Sequence, residues 1–381
     1  MRSSLLGAQR LRNITPPSPP PSGGGIQGGG SRWRNHTVTI FLAMTTLLVL
    51  AACSSGSGDG STSAPAASTA PLSTVLNGVP GIVDPTNTGW PRTVEVLNGL
   101  VTINAKPERI LTVSLGHDEV TYAMVPPGRV VATNGYTKLE QHSNVAHLAG
   151  GVGAITLDAE QVVSYRPDLV VASPFTKADF IDALTNVGIP VVQTKLHNGP
   201  DGRIQDIILL GYVYGEVDRA LALADEVQAR YDALKEVTGA KPVGDRQRVL
   251  SLTSYSDKIY TAGANSTEGG IIKAADGINV AALAGLEGNP TTSLEGVISM
   301  APEVIFIPQP PDSGEPFREQ LLANPALSEV PAIKDGRVYV VPNKFFTTLS
   351  FWNLRGAEDL AVLLWPDDFN AGEFTEFSFP K

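Results

Sequence analysis

The sequence predicts an α/β protein with two parallel-sheet α/β lobes joined by one long α-helix. Residues 216–238 lack Pro and Gly, are rich in Ala, Leu and Glu, and place apolar side chains every three or four positions. At a rise of ~1.5 Å per residue, such a helix is roughly 30 Å long, the diameter of a small domain. Strand-like and helix-like runs alternate on both sides of it, which is typical of parallel sheets covered by helices. The alternative is a surface helix of one large domain.

An internal repeat supports two lobes of the same design. Residues 160–171 align without a gap with residues 295–306. In each copy a short helix begins with Glu, Pro follows seven residues later, and an acidic residue leads into a buried strand. Because Pro cannot continue a helix, each lobe is predicted to contain the same helix–turn–strand unit.

The elements follow in order along the chain. An Asn98-Gly99 turn predicts a hairpin over residues 93–103. In the first half, strands are predicted at 109–115, 129–133, 168–173 and 190–194, and helices near 118–124, 158–165, 177–187 and 204–214. In the second half, strands are predicted at 248–254, 304–307 and 337–341, and helices at 269–275, 294–300, 317–323 and 353–364. Asp218 is expected to cap the connecting helix, which Gly239 ends.

The N-terminal segment has the pattern of a secretory signal. Arg32 and Arg34 precede an uncharged run, residues 38–52, that is shorter than the ~20 residues of a membrane span. The run ends in Leu-Ala-Ala before Cys53, which resembles the lipobox of bacterial lipoproteins, where the cysteine is lipidated and becomes the mature N-terminus. A buried structural cysteine is the alternative. Residues 1–31 are long for the front of a signal, so a start assigned too early is also open.

These features divide the chain into six segments. We expect a signal peptide at 1–52, a lipidated N-terminus with a flexible tether at 53–90, a first lobe at 91–215, a connecting helix at 216–238, a second lobe at 239–366 and a tail at 367–381. The tether is expected because residues 54–71 are rich in Ser, Gly, Ala, Thr and Pro and cannot bury a core.

Composition excludes several classes of protein. The chain has 28 Lys and Arg against 38 Asp and Glu, and five of the Arg lie in residues 1–52, which hold no acid. The remainder carries 23 basic against 38 acidic side chains, a balance that argues against nucleic acid binding. The single cysteine excludes internal disulfides and zinc sites built from several thiolates.

No pattern favours an enzyme or a resident metal. Motifs for a serine-hydrolase elbow, a phosphate-binding P-loop and a His-Glu-x-x-His zinc site are missing from the sequence. Gly151 and Gly153 resemble the start of a dinucleotide fingerprint, but no third Gly and no preceding strand are predicted. The histidines beyond the signal, His117, His142, His147 and His197, all precede the connecting helix. A metal between the lobes would therefore need carboxylates from the second lobe, and we expect neither a metal nor a cofactor.

The sequence does predict a ligand-binding gap between the lobes. Ligands of parallel α/β sheets lie outside the carboxyl ends of the strands, so residues that follow strands are expected to line it. They are His117, Asp118, Tyr136, Phe175, Lys177, His197 and Asn198 in the first lobe, and Tyr255, Gln309, Phe345, Phe346, Trp352 and Arg355 in the second. This set is aromatic and polar with few cations, which suits a bulky and partly apolar ligand.

Several phrases resemble the helical-backbone solute-binding lipoproteins of bacterial importers, the family that captures ferric siderophores, haem and cobalamin. They are residues 106–113, 158–171, 293–306 and 334–340, in that order, within a resemblance covering roughly residues 93–366. The resemblance implies a monomeric extracytoplasmic lipoprotein, anchored to the cell membrane through Cys53, that delivers its ligand to an ABC permease. It also implies that Glu160 and Glu295 dock onto permease arginines, whereas a Thr292–Glu295 capping box is the alternative for Glu295.

The expected ligand is an iron(III)–siderophore complex whose iron is held by the chelator. Members of the family that bind anionic catecholates line the cleft with several arginines, and here Arg355 is the main candidate in the second lobe. A hydroxamate-type or mixed chelate is therefore favoured, with haem or cobalamin as alternatives. A scaffold or sensor without a transport role is the other class left open.

Overall fold

The structure is a computed structural model that describes residues 72–370, 372 and 374–380. Cys53, the signal segment and residues 54–71 of the expected tether lie outside the described residues. From residue 72 onward the chain is folded, with helix α1 (Leu72–Leu76) followed by a loop. Leu76 and Val79 are buried in the core of the first lobe, so the end of the segment expected to be a tether belongs to the folded part instead.

The first lobe contains a hairpin and a five-stranded parallel sheet. The hairpin pairs β1 (Arg92–Val96) with β2 (Gly99–Ile103), as the Asn-Gly turn predicts. The sheet has the order β5-β4-β3-β6-β7 and is formed by β3 (Ile110–Thr112), β4 (Val130–Asn134), β5 (Gly153–Ile155), β6 (Leu169–Ala172) and β7 (Val191–Gln193). Its helices are α2 (Leu115–Met124), α3 (Ala159–Ser164), α4 (Ala178–Thr185) and α5 (Pro200–Tyr214).

The connecting helix α6 (Val217–Thr238) has 22 residues, and its buried side chains belong to a hydrophobic core that both lobes share. Its buried stripe, which includes Leu223, Val227 and Leu234, lies in one hydrophobic cluster with residues of both lobes. The helix packs closely on α5 because Gly211 has no side chain: a Cβ there would lie 2.1 Å from that of Ala220. Asp218 is not the cap as expected, since the helix begins after Glu216, whose side chain caps nothing.

The second lobe is built on a mixed sheet of the order β11-β9-β8-β12-β13, with β10 beside β8. The strands are β8 (Arg248–Tyr255), β9 (Lys258–Thr261), β10 (Ile278–Asn279), β11 (Thr291–Thr292), β12 (Val304–Pro308) and β13 (Val338–Val341). The helices are α7 (Thr267–Ala274), α8 (Val280–Leu283), α9 (Leu294–Met300), α10 (Pro311–Ala323), α11 (Pro331–Lys334), α12 (Asn343–Phe346) and α13 (Asn353–Leu364). β8, β12 and β13 run parallel.

The predicted fold class is confirmed, with local differences. The second sheet also carries β9 antiparallel to β8, through a tight turn at Ser256 and Asp257 that the sequence analysis did not identify. β5 was not predicted, because its three residues are too short to give an alternating pattern. Leu115 opens helix α2 instead of ending a strand, since Ser114 caps that helix by accepting from the His117 amide.

The internal repeat extends to the backbone and its hydrogen bonds. Arg166 and Ala301, which occupy equivalent positions, both have left-handed backbones, with φ of 48° and 43°. In each copy an acid, Asp168 or Glu303, accepts a backbone N–H at the start of the central strand. Arg109 donates to the carbonyls of residues 165 and 166, and its counterpart Arg248 donates to those of residues 300 and 301. Both lobes therefore begin their central strand in the same way.

The tail beyond α13 packs against the rest of the protein. Phe377 is buried against Phe351 and Trp352, and the Arg230 guanidinium of α6 lies 4.1 Å from its ring centroid. Phe379 contacts the His147 ring of the first lobe, with 5.5 Å between ring centroids. The tail thus contacts both lobes and the connecting helix.

Candidate functional site

The lobes meet along loops that follow their strands, a boundary we call the seam. At one end the Asn198 side chain donates to the Asn265 carbonyl at 3.1 Å. At the other end Asn144 donates to the Lys344 carbonyl at 2.8 Å, and His142 Nδ1 lies 2.9 Å from Asn343 Nδ2. Asn265 follows the antiparallel strand β9, whereas His142 and Asn144 follow β4, and Asn343 and Lys344 follow β13. The carboxyl ends of β4 and β13 therefore face each other across the seam.

Glu119 lies in the seam and joins the two lobes. Its Oε1 accepts from the backbone and side-chain amides of Asn144 at 2.9 and 2.8 Å, both within the first lobe. Its Oε2 accepts from the hydroxyls of Thr348 and Ser350 in the second lobe. Burial raises the pKa of Glu119, and the hydrogen bonds from Ser350, Thr348 and Asn144 oppose that shift. Because this carboxylate is fully buried, separating the lobes removes half of its partners.

A cavity of about 220 Å³ lies at one edge of the seam. The first lobe contributes Glu140 and Gln141 to its walls, and the second lobe contributes residues after β12 and β13, including Gln309 and Asn343. A larger hollow of about 630 Å³ lies at the amino ends of the first-lobe strands, between Arg109 and Tyr165. The smaller cavity is the one next to both sets of carboxyl ends.

The predicted ligand-binding residues differ in their exposure to solvent. Tyr136, Phe175, Lys177, His197 and Tyr255 are exposed. Phe175 and Tyr255, one from each lobe, expose 83% and 73% of their surface, which is unusual for aromatic residues. Gln309, Phe345 and Arg355 are partly exposed. His117, Asp118, Phe346 and Trp352 are buried, which contradicts the expectation that they line an open gap.

His117 is buried because its ring completes two hydrogen bonds within the first lobe. Its Nδ1 lies 2.7 Å from Ser114 Oγ, and its Nε2 lies 2.9 Å from Thr194 Oγ1. Burial lowers the pKa of this imidazole to about 4. The neighbouring Asp118 accepts from Thr112, Thr137 and the Asn134 amide, and burial raises its pKa to about 8. The polar atoms of His117 and Asp118 therefore make their hydrogen bonds within the first lobe.

The second-lobe aromatic residues pack together instead of facing the gap. Phe346 lies against Phe306, with 5.1 Å between ring centroids. The Trp352 ring stacks near Phe351 and Phe345 and meets Phe377 edge-on at 5.0 Å. Arg355 is also held in place, by Asp359 at 3.1 Å and by the Phe374 carbonyl at 2.7 Å. The tail, whose packing was not predicted, covers this face of the second lobe.

The two glutamates expected to dock onto a permease are exposed on equivalent helices. Glu160 lies in the first turn of α3 and Glu295 in the first turn of α9. The pKa of Glu295 is lowered by hydrogen bonds from its own backbone N–H and from Ser293. Ser293, not Thr292, caps α9 by accepting from the Gly296 amide, so the Thr292–Glu295 capping box that was the alternative for Glu295 does not form.

Within the described residues, no group of three or more His, Cys, Asp and Glu side chains is placed to hold a metal ion. None of the helices in that part of the chain is both long and apolar enough to cross a membrane. Residues central to the seam, Glu119, Asn144, Thr348 and Ser350, were not predicted. They were missed because the contacts of Glu119 with the second lobe join positions more than 200 residues apart in the chain.

Comparison with known proteins identifies the family. The pattern of the family described as "Periplasmic binding protein" matches residues 110–345. A cobalamin-binding protein of Halobacterium salinarum is 29% identical over 210 residues, which span 55% of this chain and 56% of that protein. An uncharacterized ABC transporter substrate-binding lipoprotein of Bacillus subtilis, YvrC, is 24% identical over 272 residues, 71% of this chain and 83% of that one.

Among solved structures, the periplasmic heme-binding protein RhuT from Roseiflexus sp. RS-1 has the same fold. Its TM-score is 0.60 at 23% identity, covering 68% of this chain and 98% of RhuT. The family pattern covers more than half of the sequence and spans both lobes together with the connecting helix. The chain belongs to the periplasmic binding protein family.

Proposed function

We propose that this chain is the extracytoplasmic substrate-binding lipoprotein of an ABC importer, and that it captures a metal chelate between its lobes for delivery to the permease. The observation that carries the proposal is the opposition of the carboxyl ends of β4 in the first lobe and β13 in the second lobe across the seam. Membership of the periplasmic binding protein family supports the same function. The name of the YvrC relative, a substrate-binding lipoprotein, supports the lipid anchor at Cys53.

We propose an iron(III)–siderophore complex as the ligand, with its iron held by the chelator. Exposed aromatic residues at the carboxyl ends of strands, Tyr136 and Phe175 in the first lobe and Tyr255 in the second, support an organic ligand. Burying these rings against a chelator contributes about 25 cal/mol per Å² removed from water, less the cost of immobilising the ligand.

The second candidate ligand is a corrinoid or haem. The names of relatives favour it, since one curated relative is a cobalamin-binding protein and the RhuT structure is a heme-binding protein. A flat tetrapyrrole would use the same exposed aromatic residues, because it buries an apolar ring system between the lobes. The binding mode proposed for the two ligand classes is therefore the same.

Ligand titration tests the proposal. Protein carrying Cys53→Ser, which removes the lipidation site, is titrated with ferrioxamine B, a ferric catecholate, haemin and cyanocobalamin, using calorimetry and intrinsic fluorescence. Saturable binding of a ferric siderophore supports the first candidate, and binding of haemin or cyanocobalamin alone supports the second. Ferric citrate and free iron serve as controls, and tight binding of free iron would contradict a metal held by the chelator.

The absence of a co-purifying chelate, together with the absence of ligand binding, would contradict a role in transport. Native mass spectrometry of protein purified from its own host is expected to find a co-purifying chelate. If no chelate co-purifies and none of the four ligands binds, the lobes serve another purpose, such as a scaffold or sensor.

A further inference from the structure

Arg203, in the first turn of α5, is the largest fully buried side chain of the described residues, with 1% of its surface exposed. None of its three guanidinium nitrogens has a hydrogen-bond acceptor among those residues. A buried polar group without a partner costs about 1–3 kcal/mol, and more when it is charged. An arginine that is fully buried without such an acceptor therefore requires a hydrogen-bond acceptor from another molecule.

The neighbours of Arg203 place it beside the seam. Its charge interacts with Tyr231 of the connecting helix and with Glu119 and Asp206 of the first lobe. Glu119 bonds Ser350, and the Tyr231 hydroxyl bonds Asn353, so both neighbours contact the second lobe. Arg203 consequently lies near one contact between the lobes and one contact between the connecting helix and the second lobe.

The nearby acceptors are already used. Both oxygens of Glu119 accept hydrogen bonds from Asn144, Thr348 and Ser350. Asp206 accepts from the backbone N–H of His197 at 2.6 Å and lies 2.7 Å from His197 Nδ1. Burial raises the pKa of both carboxyl groups. The protein thus leaves the donors of Arg203 free for another anionic group.

We propose that Arg203 receives an anionic oxygen group of the transported ligand, a carboxylate or a phosphate, when the lobes separate to admit it. The inference rests on the proposed function and adds a substrate requirement to it. A planar guanidinium matches such groups because it donates two parallel hydrogen bonds to them. Removal of water at the seam strengthens that pairing.

Ligand pairs that differ in an anionic group test the inference. Haemin is compared with its dimethyl ester, cyanocobalamin with dicyanocobinamide, which lacks the phosphodiester and its nucleotide, and N-acetyl ferrioxamine B with N-succinyl ferrioxamine B, which adds a carboxylate. Each pair is titrated into Cys53→Ser protein with Arg203 intact, with Arg203→Lys and with Arg203→Met. Arg246→Met, which removes an arginine of a partly exposed ion pair with Asp276, is the matched control.

Wild-type protein is expected to bind the anionic member of its pair at least about tenfold more tightly, which corresponds to ~1.4 kcal/mol. Arg203→Met should remove that preference and leave the affinity for the neutral member within about twofold, whereas Arg203→Lys should retain part of the preference. The control should bind both members as the wild type does.

Three results would overturn the inference. A preference that survives Arg203→Met, or an equal loss of affinity for both members, means that the ligand does not pair with Arg203. An Arg203→Met protein that is more stable in urea and keeps the preference identifies Arg203 as a structural residue solvated by internal water. If no member of any pair binds the wild type, the proposed function is contradicted together with the inference. The results above, in which ligands bind, contradict only the inference about Arg203.

Discussion

The Glu119 carboxylate of the first lobe accepts a hydrogen bond from the Ser350 hydroxyl of the second lobe, 231 positions further along the chain. Thr348 donates to the same oxygen, while Asn144 occupies the other. One buried side chain therefore holds the first lobe in register with the second. Movement of the lobes must break these bonds, so Glu119 couples lobe separation to the exposure of a carboxylate.

Removing the second-lobe donors should favour separation of the lobes. Thr348→Val with Ser350→Ala leaves Oε2 of Glu119 without its partners, which costs about 1–3 kcal/mol in the closed form. Spin labels on Cys introduced at the exposed Asp182 and Glu319, in a Cys53→Ser background, report the distance between lobes. The distance distribution should broaden towards longer values. Thr347→Val, whose hydroxyl bonds only the Asn343 carbonyl, is the control; an equal change there would contradict the role of Glu119.

Stability should decrease in acid because of His117. Burial lowers its pKa to about 4 from 6.5, so between these values the unfolded chain binds a proton that the folded protein does not. The loss in unfolding free energy amounts to about 3 kcal/mol as the pH falls from about 7 to about 4. Asp118, with its pKa raised to about 8, contributes a slope of opposite sign.

The His117 effect is therefore measured as a difference between variants. Urea unfolding of the wild type and of His117→Gln at several pH values should give curves that converge as the pH falls. His147→Gln changes an exposed ring and should leave the wild-type slope intact. Parallel curves for wild type and His117→Gln would mean that the imidazole titrates alike in both states.

The ion pair between Arg230 and Glu358 should stabilise the second lobe against the connecting helix. The guanidinium donates two bonds, at 2.7 and 2.6 Å, to a carboxylate with no exposed surface. Arg230→Met leaves that charge buried without a partner and should cost about 3–5 kcal/mol, measured by urea unfolding. Arg246→Met, at the more exposed pair with Asp276, should cost less than about 1 kcal/mol. Equal losses would contradict the importance of burial.

Glu160 and Glu295 should serve delivery and not capture. Both are exposed at the start of equivalent helices, where a carboxylate is favoured by the helix dipole. Changing both to Arg should abolish uptake of the labelled ligand in cells, while affinity of the purified protein stays within a fewfold. Asp182→Arg with Glu329→Arg, one exposed acid from each lobe, controls for charge reversal. Reduced affinity in the purified double variant would assign the glutamates to the fold or the ligand site.

Cys53 should carry the membrane anchor, because it follows Leu-Ala-Ala at the end of the apolar run. Two acyl chains hold a protein stably at a bilayer, whereas one gives marginal binding. Cys53→Ser should move the protein from the membrane fraction to the soluble fraction after cell fractionation. Complete retention in the membrane fraction would assign the anchor to another segment.

Much of the fold could be predicted from local sequence. The connecting helix, the boundaries of α9 and α13 and the central strands of both lobes follow from periodicity and from Pro and Gly positions. The repeat predicted the same helix–turn–strand unit in both lobes, and the structure adds that Arg166 and Ala301 share a left-handed backbone in that turn. These properties depend on residues close together in the chain.

Only the tertiary structure decided which side chains reach the seam. Phe345 and Phe346 are adjacent, yet one is partly exposed and the other is buried against Phe306, because a helical turn directs neighbours to different sides. Burial of Trp352 depends on a tail that carries no periodic signal. The partners of Glu119 and the isolation of Arg203 arise from contacts between distant segments, which no local pattern encodes. The sequence by itself therefore determined the two lobes and their connecting helix, and long-range packing determined the chemistry between them.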